Sequence, residues 1–389
     1  MKLLFVSDSF KGSLTSAQTI QYLKKAAEEV FGSCECQGIP VADGGEGTID
    51  AVVQACHGEK LSCQVQDPLG REIMAYYGCV GGTAVIEMAQ ASGLPLVMEA
   101  ERDPRKTSTY GTGQLLMDAL QRGFRDIRIA IGGSATNDGG MGMASALGVR
   151  FLDCDGQELK GIGENLELVE RIDISGLTPL IRQAKITVMC DVTNPLCGEN
   201  GATYTFGKQK GGTLKILDQL EAGMQHYRDV IRNTFQTDPD QIPGTGAAGG
   251  LGAALLIYLE AEMRSGIDCV LDMTNFDRWL EWADLVVTGE GRTDWQSSFG
   301  KVMQGIGDRC ARKGVPVVGL SGSLGPGYET IYEHGIDSLM TTVDGPMGLD
   351  EAMADAVMLY QKAAVRMFRM IRAGMRVAKK DNECHSVDL

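Results

Sequence analysis

The stretch from Ala283 to Asp294, "ADLVVTGEGRTD", decides the fold. Leu285 to Thr288 read as a buried strand that breaks at Gly289-Glu290-Gly291 into a polar loop. A helical segment, "KVMQGIGDRCARKG" (301–314), follows, and then a second strand, "VPVVGLSGS" (315–323). The N-terminus repeats the design. "KLLFVSDSF" (2–10) is a strand ending in polar residues. Thr15-Ser16 caps a helix over 17–31, and "QGIPV" (37–41) runs into Ala42-Asp43-Gly44-Gly45-Glu46-Gly47-Thr48. Strand, glycine-bearing loop and helix in alternation predict a parallel sheet covered by helices.

The chain between these ends has another texture. Residues 60–89 alternate polar and apolar, with turn signals at Asp67-Pro68-Leu69-Gly70 and Gly81-Gly82, and predict an antiparallel hairpin or meander. Mixed and helical segments continue to about residue 280. The expected fold class is α/β with two α/β domains. A Rossmann/flavodoxin-like parallel-sheet domain is discontinuous in sequence (1–60 and 285–376), and a mixed-sheet α/β domain (61–284) is inserted in it. Residues 377–389 are expected to be a frayed tail.

A length of 389 residues agrees with two domains rather than one core. The formal net charge, −15, disfavours nucleic acid and anionic membranes as partners, and no basic run longer than a pair offsets it. No apolar run approaches 18 residues, and the N-terminal run is too short for a signal peptide. The 11 cysteines form no CxxC, and the four histidines show no ligand spacing with them. Free thiols in a reducing cytoplasm are expected, and zinc is not. Oligomeric state is not legible, and a homo-oligomer stays open.

Seven loops share one design, mixing glycine with acids, hydroxyls or a lysine at a strand end or helix start. They are 7–13, 42–48, 132–140, 190–198, 244–252, 288–301 and 319–323. Ligands of open α/β sheets bind at the carboxyl ends of the strands, where such loops would stand. Gly244-x-Gly246-x-x-Gly249 matches a dinucleotide fingerprint in letters only, because no strand precedes it. A helix start that takes a phosphate, or plain close packing, are the readings left. No Walker A motif and no nucleophile elbow is present.

Asp8, Asp43, Glu46, Asp138, Asp191, Glu290 and Asp294 sit in these loops beside glycines or hydroxyls. One such acid is ordinarily a cap or turn residue. Seven at strand ends call for a cation or a shared proton, and Mg²⁺, a hard ion bound by oxygens, suits them. Lys11, Arg292 and Lys301 are the cations of the same loops, and Arg71 follows the Asp67 turn.

"SDSFKGSLTS" (7–16), "VADGGEGT" (41–48), "DPLGR" (67–71), "GGSATNDGGMGM" (132–143), "CDVTNPLCG" (190–198), "FGKQKG" (206–211), "GAAGGLGAAL" (246–255) and "TGEGRTD" (288–294) together resemble the bacterial glycerate kinases of the garK/glxK type, in the family's order and over nearly the whole chain. The resemblance implies ATP-dependent phosphorylation of D-glycerate, at the 2-hydroxyl, in a cleft of a two-domain enzyme. A glycerate 3-kinase, or a kinase of another small hydroxy or sugar acid, is the alternative. The expected cofactors are ATP and Mg²⁺. The pattern departs at Trp295, where the family has serine.

Roles follow as expectations. Asp191 or Asp138 takes the substrate proton, with Lys11 neutralising the moving phosphoryl group. Arg71 or Arg292 holds the substrate carboxylate, with Asp8, Ser134 and Asn137 also at the substrate. Gly246, Gly249, Gly250, Glu290, Asp294 and Lys301 line the nucleotide phosphates. Asp43 and Glu46 hold the metal, with Asp138 and Asp191 as further candidates.

Overall fold

The computed structural model describes residues 1–298 and 300–385. The chain divides into two compact units, Met1–Asp43 with Val270–Leu389, and Gly44–Cys269.

In the first unit the strands, numbered along the chain, are β1 (Lys2–Phe5), β2 (Glu35–Gly38), β11 (Leu285–Thr288), β13 (Val317–Ser321) and β15 (Ser338–Thr341). They lie in the order β15-β13-β11-β1-β2, and every pair is parallel. Read from the other edge, this is the flavodoxin-like order 2-1-3-4-5, so the fold expectation holds. Alternate residues of each strand face opposite sides. Leu3, Phe5, Val287 and Leu320 pack with Leu23 of helix Ser16–Phe31 and with Tyr360 and Phe368 of helix Ala356–His385. Gly319 faces the other side, where a Cβ would meet Met303 of helix Val302–Lys313 at 2.9 Å. Both faces are therefore covered. Helix Ser16–Phe31 starts where predicted, with a reciprocal capping box between Thr15 and Gln18. The final helix runs through His385, whereas a frayed tail was expected from 377; residues 386–389 and Phe299 lie outside the described residues.

The second unit holds β3 (Glu59–Gln66), β4 (Glu72–Val80), β5 (Thr83–Glu87), β6 (Asp126–Ala130), β9 (Lys185–Met189) and β10 (Glu262–Arg264). A short antiparallel ribbon pairs β7 (Arg150–Leu152) with β8 (Arg171–Asp173). In the first unit, β12 (Arg292–Thr293) pairs with β14 (Ser323–Leu324) beyond the ends of β11 and β13. The large sheet is mixed. β10, β9, β6 and β5 are mutually parallel, and β5, β4 and β3 antiparallel, in the order β10-β9-β6-β5-β4-β3. The two-residue turn between β4 and β5 is Gly81-Gly82, both at positive φ, the geometry that matches strand twist in a tight hairpin. Ile86, Leu115, Ile129, Met143, Val188, Tyr227 and Leu255 form the core.

The unit boundaries fall at 43/44 and 269/270, not at 60/61 and 284/285. Helix Thr48–Ala55 buries Ile49 and Val52, and Gly78 of β4 sits against Ile49 and Val53. That helix therefore packs with the mixed sheet, although its preceding strand belongs to the parallel one.

Candidate active site

In each unit the glycine-bearing loops gather at the carboxyl edge of the parallel strands. In the first unit the order reverses between β1 and β11, and the loops after these two strands meet. Asp8 N–H donates to Gly289 O (2.9 Å), and Ser7 Oγ donates to the same oxygen (3.0 Å). Gly289 is required: a Cβ there would lie 2.1 Å from Leu320 O.

Asp8 is half-buried, and Ser9 N–H donates to its Oδ1 (2.6 Å). Burial, then the charges of Asp43 and Glu290, push its carboxyl up to about 7, against the pull of Ser9 N–H and Lys11. Glu290 is buried and accepts from Thr293 Oγ1 (2.9 Å) and Ser297 Oγ (2.6 Å). Thr293 Oγ1 also pairs with Ser321 Oγ at 2.6 Å, tying this loop to the end of β13. Burial raises the Glu290 carboxyl, while the two hydroxyls and Lys301 oppose it. Asp8, Lys11, Asp43, Glu290 and Lys301 are thus electrostatically linked at one edge. Asp294 accepts from Gln296 N–H (2.9 Å) and faces Arg292 Nε (3.4 Å). Arg292 and Trp295 are exposed, and Lys301 stands at the cap of helix Val302–Lys313.

The edge of the second unit is built on contacts that only glycine permits. A Cβ on Gly44 would lie 3.0 Å from Gly266 Cα, and one on Gly132 3.3 Å from Gly45 Cα. Asp191, half-buried just beyond β9, accepts from Gly266 N–H at 3.2 Å. Glu87, at the end of β5, is buried and accepts from Ile49 N–H (2.7 Å). Burial raises its carboxyl, and Glu46, on the exposed part of the 42–48 loop, adds to the rise. Because β3 runs parallel to β5, the Asp67–Arg71 turn lies at this same edge. Arg71 closes this turn and is engaged with Asp67 (2.5 Å), Glu101 (3.2 Å) and Leu96 O (3.1 Å).

The loop 132–140 separates into two parts. Gly132 and Gly133 are exposed, while Ser134 to Gly140 are buried. Asp138 is wholly enclosed. Its Oδ2 accepts from Thr109 N–H (2.8 Å), Thr109 Oγ1 (2.8 Å) and Gly142 N–H (3.2 Å), and its Oδ1 from Gly140 N–H (3.1 Å). Burial raises this carboxyl and the four donors pull it back. Such an acid pins a turn and the start of a helix. Ser134 bridges to Gly93, and Asn137 donates from Nδ2 to Thr203 Oγ1 (3.2 Å), so both belong to the enclosed base of the loop.

Gly246, Gly249 and Gly250 are buried too. Cβ atoms there would lie 2.1 Å from Pro195 O, 2.0 Å from Thr136 O and 2.7 Å from Gly139 Cα. Gly139 N–H donates to Gly249 O (3.0 Å), and Gly246 N–H to Asn194 O (3.0 Å). The glycine-rich helix start is a wedge between the 132–140 and 190–198 loops. Close packing accounts for it, and a three-residue 3₁₀ turn (Pro239–Gln241), not a strand, precedes it.

Sequence reasoning passed over Lys210. It is 2 % exposed and donates from Nζ to Thr136 O (2.6 Å). Its motif, "FGKQKG", was visible, but nothing in the letters says that one of its two lysines is enclosed. Glu87 was hidden similarly, as the last residue of an apolar strand.

Among the described residues no group of three or more His, Cys, Asp or Glu side chains converges to hold a metal ion. The acids of the first unit suit a hard cation in kind: the charges of Asp43 and Glu290 both reach the Asp8 carboxyl and raise it. Mg²⁺ is ordinarily held by one or two carboxylates plus phosphate oxygens, which needs no all-protein cage. No helix among the described residues is long and apolar enough to cross a membrane.

Comparison with known proteins identifies the family. The sequence model of the Glycerate kinase family matches residues 3–372. A glycerate kinase of Halalkalibacterium halodurans is 46% identical over 93% of this chain and 96% of its own. Glycerate 2-kinase of Escherichia coli K12 is 42% identical over 97% of this chain and 100% of its own. A crystal structure of a Salmonella typhimurium LT2 protein assigned as glycerate kinase 2 superimposes with a TM-score of 0.86 at 39% identity, covering 97% of this chain and 99% of that one. The chain belongs to the glycerate kinase family and is a kinase.

Proposed function

We propose that the enzyme transfers the γ-phosphoryl group of ATP to the 2-hydroxyl of D-glycerate, giving 2-phosphoglycerate and ADP. The observation that carries this reading is the near-complete match to E. coli glycerate 2-kinase, 42% identical over 97% of this chain. Phosphoryl transfer asks for position and charge neutralisation more than for covalent help, and the absence of a nucleophile motif fits that demand.

The edge between β1 and β11 supplies charge. Asp43 with Asp8 is the carboxylate pair that would hold Mg²⁺, which when bound neutralises phosphate oxygens. Lys11 and Lys301 are the cations beside them. Glu46, on its exposed loop, remains a candidate ligand. In the second unit, Asp191 is the proposed proton acceptor. It is half-buried at a strand end and holds one backbone N–H. The exposed Gly132-Gly133 backbone is the part of its loop open to an anion. Asp138 is proposed as a positioning residue and not as a base. Arg292, the more exposed of the two arginines, is the better candidate for the glycerate carboxylate.

The test is ATP consumption against a panel of D-glycerate, hydroxypyruvate, glycerol and aldonates, with the product assigned by phosphorus NMR. D-Glycerate is expected to be the best acceptor and 2-phosphoglycerate the product. A 3-phospho product, or turnover only with another acid, refutes the proposal. Asp191→Asn is expected to lower kcat by about 10²–10⁴-fold.

A further inference from the structure

We infer that Lys210 is a positioning residue for the exposed tip of the 132–140 loop, acting from behind through the carbonyl of Thr136; this rests on the reading that the tip faces substrate. The geometry is a clamp. Asp138 takes the N–H groups of Thr109, Gly140 and Gly142 on one side of the loop base, and Lys210 Nζ donates to Thr136 O at 2.6 Å. Between these holds stand Thr136 and Asn137, both wholly buried, whose Oγ1 and Oδ1 have no hydrogen-bond partner within the protein. Asn137 keeps one side-chain bond, from Nδ2 to Thr203 Oγ1, so the Thr136 stretch of the loop base is held through its backbone. Lys210 is itself placed by a tight turn. Gly211 has φ +95°, and a Cβ there would lie 2.3 Å from Arg102 O.

An ammonium in this setting is costly to keep. Burial pulls it down to about 7, with Asp138 the charge that opposes the fall. A hydrophobic side chain of similar length would fill the same space, and replacing a buried charge that way is often neutral or stabilising. What such a side chain does not supply is the bond to Thr136 O. Small displacements of positioning groups remote from the chemistry lower rates steeply.

The experiment is Lys210→Met in the full chain, with thermal midpoint, kcat and both KM values measured. Wild-type turnover of ATP and D-glycerate is established first; its failure would sink the functional reading and not this inference. With wild type active, Lys210→Met is expected to keep its midpoint within about 3 °C and to lose at least about tenfold in kcat/KM for one of the two substrates. A kcat/KM within twofold of wild type for both overturns the inference. So does a loss that merely tracks the fraction of folded enzyme. If Lys210→Met yields no folded protein, Lys210→Leu, which likewise has no donor for Thr136 O, is judged by the same thresholds.

Discussion

Asp138→Asn separates the two roles open to this residue. The carboxylate accepts four hydrogen bonds in a site closed to water. An asparagine could keep its oxygen at the Oδ2 position, where Thr109 and Gly142 supply three donors. Its NH₂ would then face Gly140 N–H, now 3.1 Å from Oδ1, donor against donor. One charge-assisted bond is lost, worth about 1.5–3 kcal/mol, and a buried donor is left unmet at about 1–3 kcal/mol. Relief of the buried charge offsets part of this. A net loss of about 2–4 kcal/mol is expected, or about 5–15 °C in thermal midpoint for a unit of this size. The assay is thermal and urea unfolding alongside kcat, measured well below the midpoint and corrected for folded enzyme. The expected kcat stays within about tenfold of wild type, because a proton acceptor would show a loss of about 10²–10⁴-fold. A variant with an unchanged midpoint and kcat down more than about a hundredfold would refute the reasoning and return Asp138 to the chemistry.

Gly249→Ala should be far worse than a usual surface change, since φ is +69° and the new Cβ would lie 2.0 Å from Thr136 O; soluble yield and midpoint should both collapse, and a wild-type midpoint would contradict the wedge. The Asp8 carboxyl, raised to about 7, binds its proton more tightly folded than unfolded. Its contribution to stability is therefore greatest at low pH and is lost as pH rises from about 4 through about 7, on the order of 1–2 kcal/mol after discounting for solvent. Urea titrations at pH 5 and pH 8 should show this loss in wild type and less of it in Asp8→Asn, and equal slopes would contradict it. Trp295→Ser should leave stability within about 0.5 kcal/mol, because Trp295 is 53% exposed, and a drop of several degrees would show that its ring packs.

The sequence by itself determined the chain's class and order. Strand-loop-helix alternation at both ends, and its interruption by polar–apolar alternation from 60 onward, specified a split parallel-sheet domain with a mixed one inside it. Such periodicities are local consequences of which face a residue buries, so one chain read in order reveals them. The collinear motifs revealed the family by resemblance, again read in chain order. Only tertiary structure decided how deeply each loop residue is buried and what it touches. Asp138 and Asp191 look alike in sequence, each an acid in a glycine-bearing turn. One is sealed beneath four donors contributed mostly by residues 109 and 142, and the other is half-buried at a strand end. For Gly246, Gly249 and Gly250 the sequence left an anion site and close packing both open, and the backbones of 136–139 and 194–195 lie where side chains there would stand. Lys210 drew no notice in the sequence, and its partner, Thr136 O, lies 74 positions away in the chain. Burial and partnership are set by segments distant in the chain, and a letter in a loop carries no record of them.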